Sequence, residues 1–186
     1  MSPQPTNGPT AARGVRRYFV WSPALDPEAR AAAFVRQGGG AFRLPPGAVA
    51  EALDVDLVYS HPSTRWGGRV AGLLPRPGAS VFGLLFEVPE ADFRAVEEAE
   101  GVPSGEAVAK ELQVRSEGRT VTATAFTPRP EGATREGPVS QRYADALARG
   151  AEKAGLPGTY VTKLQAEAML LERVQSFGER MGLVSP

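Results

Sequence analysis

Cysteine is absent from this 186-residue chain, which excludes disulfides, thiolate metal sites and a cysteine nucleophile together. The only histidine is His61, so neither a histidine-rich metal site nor a second catalytic imidazole is available. An excess of charge of either sign is missing too. Lys+Arg and Asp+Glu stand at 21 each, and no net field recruits nucleic acid or an anionic membrane surface. There is no long apolar run and no secretory h-region, because the opening MSPQPTNGPTAARGVRR is polar and proline-bearing. These absences predict a soluble, cytoplasmic protein without a metal, and without nucleic acid or membrane as a partner.

What is present is ordinary globular material. Hydrophobic residues make up 42% and charged residues 23%, enough for one domain with a sizeable core. Residues 1–15 read as a disordered tail and 16–186 as a single domain. The basic cluster Arg13, Arg16 and Arg17 is read as a solubilising flank, since no aromatic platform or wider basic face accompanies it.

The most informative stretch is ASVFGLLFEVPEADFRAVEEAEGV, residues 79–102. It reads as a buried strand running into a short helix. Phe93, Val96 and Glu100 follow at helical spacing on one face, with Gly101 just behind. An acid on the packed face beside the negative end of a helix should have a raised pKa, as a general base or acid requires. The competing reading of Glu100 is a solvated helix-end acid, which is how Glu97 and Glu98 are read.

Taken in order, RYFVW (17–21) predicts a first strand that stops at Ser22-Pro23. Asp26, Pro27 and Glu28 form a helix-start signature, and Gly38 to Gly40 should end that helix. This triple glycine lacks the strand before and helix after it that a phosphate loop needs, so it is read as a connection. The second half of 48–60 favours a strand, followed by an exposed HPSTRWGG loop with His61 at the surface and Trp66 near the tip. RVAGLLP (69–75) and SVFGLLFEV (80–88) predict neighbouring strands joined by a turn through Arg76, Pro77 and Gly78. A hairpin across Glu117-Gly118 should join 108–116 to 119–127.

A helix over 139–154 carries Val139, Tyr143, Ala146, Leu147 and Gly150 on one stripe, closed by Gly155. Pro157 opens another short helix through Leu164. A last helix has Leu170, Val174, Phe177 and Met181 at steps of four, three and four. That stripe should pack on the domain or on a second copy, the latter giving a homodimer. Sequential strands with late helices predict an α+β class.

Two of these segments resemble the γ-glutamylcyclotransferase (AIG2-like) family. RVAGLLPRPGASVFGLLFEVPEADFRAVEEAEGV is similar to that family's strand, turn, strand and helix ending in Glu-Gly-Val. PVSQRYADALARGAEKAGLPGTYVTKL resembles its tyrosine-bearing helix followed by Gly-Leu-Pro and a Tyr. The resemblance spans roughly residues 17–167. It implies a mixed β-barrel-like core with helices around it. It also implies cyclisation of an L-γ-glutamyl compound to 5-oxoproline with release of the amine, without cofactor or metal because the nucleophile is the substrate's own α-amine. On that resemblance Glu100 is the general acid/base, Tyr143 is a kept pocket residue, and the partner is a small γ-glutamyl amine, amide or amino acid.

The substrate-anchoring loop departs from the family. In line with its Tyr-Gly-Ser-Asn-Leu stand Trp21, Ser22, Pro23, Ala24 and Leu25. Pro23 has no N–H, and losing one such donor typically costs about 3 kcal/mol. Ala107 replaces an aromatic wall and Phe126 a tyrosine, which predicts a wider, less polar pocket. The alternative to an enzyme is a family member without catalysis that binds a small metabolite or a protein.

Overall fold

The structure is a computed structural model describing residues 14–36 and 43–180, with side chains up to 174. Most of the expected tail, and Gly38 to Gly40, lie outside the described residues. Of the expected tail only Gly14 and Val15 are described, and Val15 already opens the first strand.

The described residues form β1 (Val15–Val20), α1 (Pro27–Arg36), β2 (Ala48–Ser63), β3 (Gly68–Pro89), α2 (Phe93–Ala99), β4 (Ala107–Ser116), β5 (Arg119–Pro128), α3 (Gln141–Lys153) and α4 (Gly158–Arg180). The strands close into a barrel in the order β1-β3-β2-β4-β5. Every pairing is antiparallel except the closing one, where Tyr18 of β1 meets Thr124 of β5 in parallel. The class is α+β with a mixed barrel core.

The first strand shows why it carries no polar alternation. Tyr18, Phe19, Val20 and Trp21 are all buried, so both faces are covered and a continuous apolar run is what this position requires. Gly83 makes the β1–β3 crossing possible. A Cβ there would lie 2.1 Å from the Val20 carbonyl oxygen and 2.7 Å from the Phe19 ring.

The two segments expected as neighbouring strands joined by a turn, 69–75 and 80–88, do not pair with each other. They are the two halves of the 22-residue β3, and each pairs with a different half of β2. Leu53 faces Ser80 and Val55 faces Pro75, so residues 76–79 bulge out opposite Asp54 alone. Asp54 takes a left-handed φ of 54° and its Oδ1 accepts from the Gly78 N–H at 2.8 Å. Arg76, Pro77 and Gly78 are turn residues, but they bend one strand and do not reverse the chain. The whole of 48–63 is likewise strand, longer than expected.

The hairpin at Glu117-Gly118 forms as expected. Both residues have left-handed φ, 49° and 75°, the geometry of a two-residue type I′ turn. The inward and outward alternation that Val121, Ala123 and Ala125 predict for β5 is not kept, because residues 123–127 are all buried. Asp26 caps α1, its Oδ1 accepting from the Glu28 N–H at 2.9 Å.

At the other end, the expected pair of late helices is one continuous α4. Leu170 and Val174 are 62% and 61% exposed, so these two residues do not pack on the domain. Of the rest of that stripe, the Phe177 side chain and all of Met181 lie outside the described residues. Among the described residues no helix is long and apolar enough to cross a membrane.

Candidate functional site

The helix α2 ends by handing Glu100 to the cleft. Phe93 and Val96 bury its inner face. The Gly101 N–H then bonds to Glu98 O at 3.1 Å and the Val102 N–H to Glu97 O at 3.0 Å, a Schellman closure in which Gly101 takes φ of 80°. Glu100 is the C-cap residue just past α2. Its carboxylate accepts a hydrogen bond from the Tyr18 hydroxyl of β1, 82 positions away in the chain.

The electrostatics of this pair oppose each other in a useful way. Burial raises the Glu100 pKa above the usual carboxylate range, and the Tyr18 hydrogen bond pulls it partly back. Tyr18 is pushed well above the ordinary tyrosine value, first by burial and then by the Glu100 charge. It therefore stays a neutral donor at any working pH. Tyr18 was not singled out from the sequence, where it reads only as an aromatic strand residue.

Two cavities, of about 430 and 380 Å³, meet at Glu100. Ser22, Arg65, Trp66, Glu100, Glu106 and Tyr143 line both, so they are two lobes of one cleft. The larger lobe is walled by Trp21, Val70, Ala71, Ala107 and Phe126 among others. The smaller lobe carries Arg36, Arg65 and Arg149, with Pro23 and Ala24 on its rim. Ala107 and Phe126, the two positions expected to widen the pocket and make it less polar, both line the larger lobe.

Of the expected anchor residues, Trp21, Ser22, Pro23 and Ala24 line the cleft. Trp21 is fixed by its indole N–H donating to Phe126 O at 3.0 Å. Leu25 does not line either lobe. It is fully buried in the core, where it meets α3 at Gly150. A Cβ on Gly150 would lie 3.3 Å from the Leu25 Cβ and 3.1 Å from the Asp26 nitrogen.

Residues 23–25 form a 3-10 turn. The Ala24 N–H is directed to Ser22 Oγ at 3.3 Å and the Leu25 N–H to Ser22 O at 2.9 Å. The Ala24 and Leu25 carbonyls are held by Arg30, at 2.7 and 3.3 Å. The N–H groups of Ala24 and Leu25 are thus committed within the turn, and Pro23 adds none.

Tyr143 lines both lobes and is placed by the start of α3. Ser140 Oγ donates to Trp66 O at 2.7 Å and accepts from the Tyr143 N–H at 3.2 Å. The Tyr143 ring then stands edge-on to Trp66 at 5.3 Å and to Tyr59 at 6.1 Å. Burial raises the Tyr143 pKa well above its ordinary value.

His61 was expected at the surface and is instead 5% exposed in β2, lining the larger lobe. The register slips between Tyr59 and His61. That bulge shifts the alternation so that Ser60 and His61 are both buried. Gly72 leaves room for the imidazole, since a Cβ there would lie 2.8 Å from its Cε1. Burial lowers the His61 pKa, so the ring is neutral near pH 7. Trp66, expected at an exposed tip, is partly buried against Tyr143. Among the described residues no group of three or more His, Cys, Asp or Glu could hold a metal ion.

Fold and cleft together define an α+β barrel protein with a small-molecule pocket built around one desolvated carboxylate. The sequence pattern of the AIG2-like family matches residues 80–164. The chain is 31% identical over 115 residues to the γ-glutamylcyclotransferase of Mus musculus and 30% identical over 115 residues to that of Homo sapiens. Each alignment covers 61% of this chain and 60% of the relative, so the chain spans under two thirds of those proteins. A solved γ-glutamyl cyclotransferase superposes with a TM-score of 0.64 at 26% identity, covering 82% of this chain and 88% of that one. The protein YkqA of Bacillus subtilis shares the fold, with a TM-score of 0.67 at 20% identity over 84% of this chain and 55% of that one. Over residues 80–164 the chain is similar to the AIG2-like family, and its fold is similar to that of a solved γ-glutamyl cyclotransferase.

Proposed function

We propose that the protein is a γ-glutamylcyclotransferase, converting a small γ-glutamyl amine, amide or amino acid to 5-oxoproline and the free amine, with Glu100 as general acid/base. The observation that carries the reading is the place of Glu100. It stands where two lobes of one cleft meet, desolvated and held by Tyr18. The γ-glutamylcyclotransferase names of the relatives support it.

In this mechanism the substrate's α-ammonium gives a proton to the Glu100 carboxylate. The freed amine forms a C–N bond to the γ-carbonyl carbon, and the bond from that carbon to the leaving nitrogen breaks. Of the three ammonium protons, one stays on the ring nitrogen and two end on the departing amine, carried through Glu100. No water is consumed and no redox change occurs. Burial raises the carboxylate's basicity towards that of the ammonium it must deprotonate. Trp21, Ser22, Pro23, Ala24 and Tyr143 shape the walls that fold the glutamyl chain into a near-attack geometry, and Leu25 supports the turn from behind.

The test is 5-oxoproline release from a panel of γ-glutamyl compounds, wild type beside Glu100→Gln. The variant is expected to lose about two to four orders of magnitude in turnover while its circular dichroism stays unchanged. Wild-type rates from that variant would remove Glu100 from the chemistry.

A second reading, a binding module without catalysis, draws on one observation. The N–H groups of Ala24 and Leu25 point back into the turn at Ser22 and not into the cleft. Saturable binding of a γ-glutamyl compound by folded wild type, with no 5-oxoproline formed, would establish it.

A further inference from the structure

The two lobes differ in chemistry, and Glu100 sits between them. The larger lobe presents mainly indole, phenyl and aliphatic surface from Trp21, Phe126, Val70 and Ala71, with the small Ala107 leaving volume unfilled and with His61, Thr127 and the shared Arg65 and Glu106 as its polar side. At about 430 Å³ it falls in the size range of small-molecule sites. The smaller lobe gathers three guanidinium groups from three separate elements, Arg36 of α1, Arg65 of the β2–β3 turn and Arg149 of α3. Arg36 and Arg65 are close enough to repel, since the Arg65 pKa is lowered first by burial and then by Arg36, with Glu106 opposing. Asp26, also on this lobe, is already paired with Lys153 at 2.7 Å. With Asp26 paired in this way, the three arginines outnumber the two remaining carboxylates of the lobe, Glu100 and Glu106, and offer an anionic group a cationic partner.

A γ-glutamyl amide has the matching polarity. Its α-carboxylate and its leaving amine lie on opposite sides of the α-amine and γ-carbonyl that must meet at the general acid/base. The anchor turn has no backbone donor from Pro23, and its Ala24 and Leu25 N–H groups are committed. Beyond Ser22, side-chain cations are the partners this lobe offers the carboxylate. We propose that Arg36, Arg65 and Arg149 seat the substrate α-carboxylate while the apolar lobe takes the leaving amine, so that the preferred substrates are γ-glutamyl amides of apolar, aromatic amines. This assignment rests on the cyclotransferase reading of the cleft.

The experiment compares amine release from γ-glutamylbenzylamide, γ-glutamylglycine, γ-glutamyl-ε-lysine and 4-aminobutyrylbenzylamide, the last lacking only the α-carboxylate. A single methylene in an apolar pocket is worth at least about tenfold in kcat/KM, so γ-glutamylbenzylamide should exceed the glycine and lysine compounds by at least that factor. It should exceed 4-aminobutyrylbenzylamide similarly. Ala107→Phe, which fills the apolar lobe, should collapse the benzylamide-to-glycine ratio about tenfold. Arg149→Gln, on the exposed side of α3, should raise KM for both γ-glutamyl compounds and leave their ratio alone. Equal turnover of benzylamide and glycine compounds would overturn the substrate assignment and leave the cyclotransferase reading standing. Equal turnover with and without the α-carboxylate would overturn the arginine seat. Silence with every compound from folded protein would overturn the cyclotransferase reading and this inference with it.

Discussion

Replacing Tyr18 by Phe isolates one hydrogen bond in an otherwise preserved site. The ring contacts of Tyr18 with Phe86 and Phe126, at 6.0 and 5.8 Å between centroids, survive the change. Only the donor to Glu100 disappears. A hydrogen bond to a charged group contributes about 1.5–3 kcal/mol, and one pKa unit corresponds to about 1.4 kcal/mol. The Tyr18 bond favours the carboxylate and holds its pKa below what burial alone would set. Without it, the Glu100 pKa should rise further above the usual carboxylate range. Under the proposed mechanism the carboxylate form takes the proton, so the acid limb of kcat/KM against pH should move to higher pH, and well down that limb the rate should fall by the factor the lost bond sets, about 10- to 100-fold. The rate on the alkaline side of the limb should change far less. The assay is 5-oxoproline release across the pH range, with γ-glutamyl substrate well below KM. An acid limb that stays in place, or moves to lower pH, would refute the coupling of Tyr18 to Glu100. Stability follows the same linkage. A carboxyl whose folded pKa is raised favours folding at pH below its unfolded value, and that advantage is lost as pH rises through the folded value. Tyr18→Phe should therefore melt lower than wild type chiefly above that range.

Other substitutions test the scaffold. Glu100→Gln removes a desolvated charge but keeps an acceptor for Tyr18, so at pH 7 and above it should melt no lower than wild type; a fall of several degrees would mean that the carboxylate stabilises the fold. Gly83→Ala places a Cβ against the Val20 carbonyl and should cost about 1–3 kcal/mol or more by overpacking, read from the urea midpoint. Asp26→Ala removes the α1 cap and should cost about 1 kcal/mol. Lys153 holds the Asp26 pKa below its ordinary value, so that part of the penalty should be present at neutral pH and vanish as pH falls through the depressed value.

Much of the fold was legible because its signals are local. The α1 start at Asp26-Pro27-Glu28, the two-residue turn at Glu117-Gly118 and the end of α2 at Gly101 each depend on a few adjacent residues, and each forms where the sequence places it. Glu100 was legible for the same reason, since helical spacing alone puts it on the packed face. The segments 69–75 and 80–88 misled because glycine and proline between two apolar runs signal a bend without saying whether the chain reverses. Only the pairing of both halves with β2 decides that. His61 misled because a bulge at Ser60 changes which side chain faces inward, and nothing at that position announces an extra residue.

The sequence by itself determined the α+β class, the ends of several elements, the exclusion of thiol chemistry and the carboxylate at the end of α2, all properties of composition or short-range periodicity. The tertiary structure decided what surrounds that carboxylate. Tyr18 reaches it across 82 positions, Arg36, Arg65 and Arg149 converge from three elements, and Leu25 turns from the cleft into the core against Gly150. Such neighbours are set by barrel closure and helix docking, where distant residues meet only because burying the apolar surface between them lowers the free energy of the whole chain.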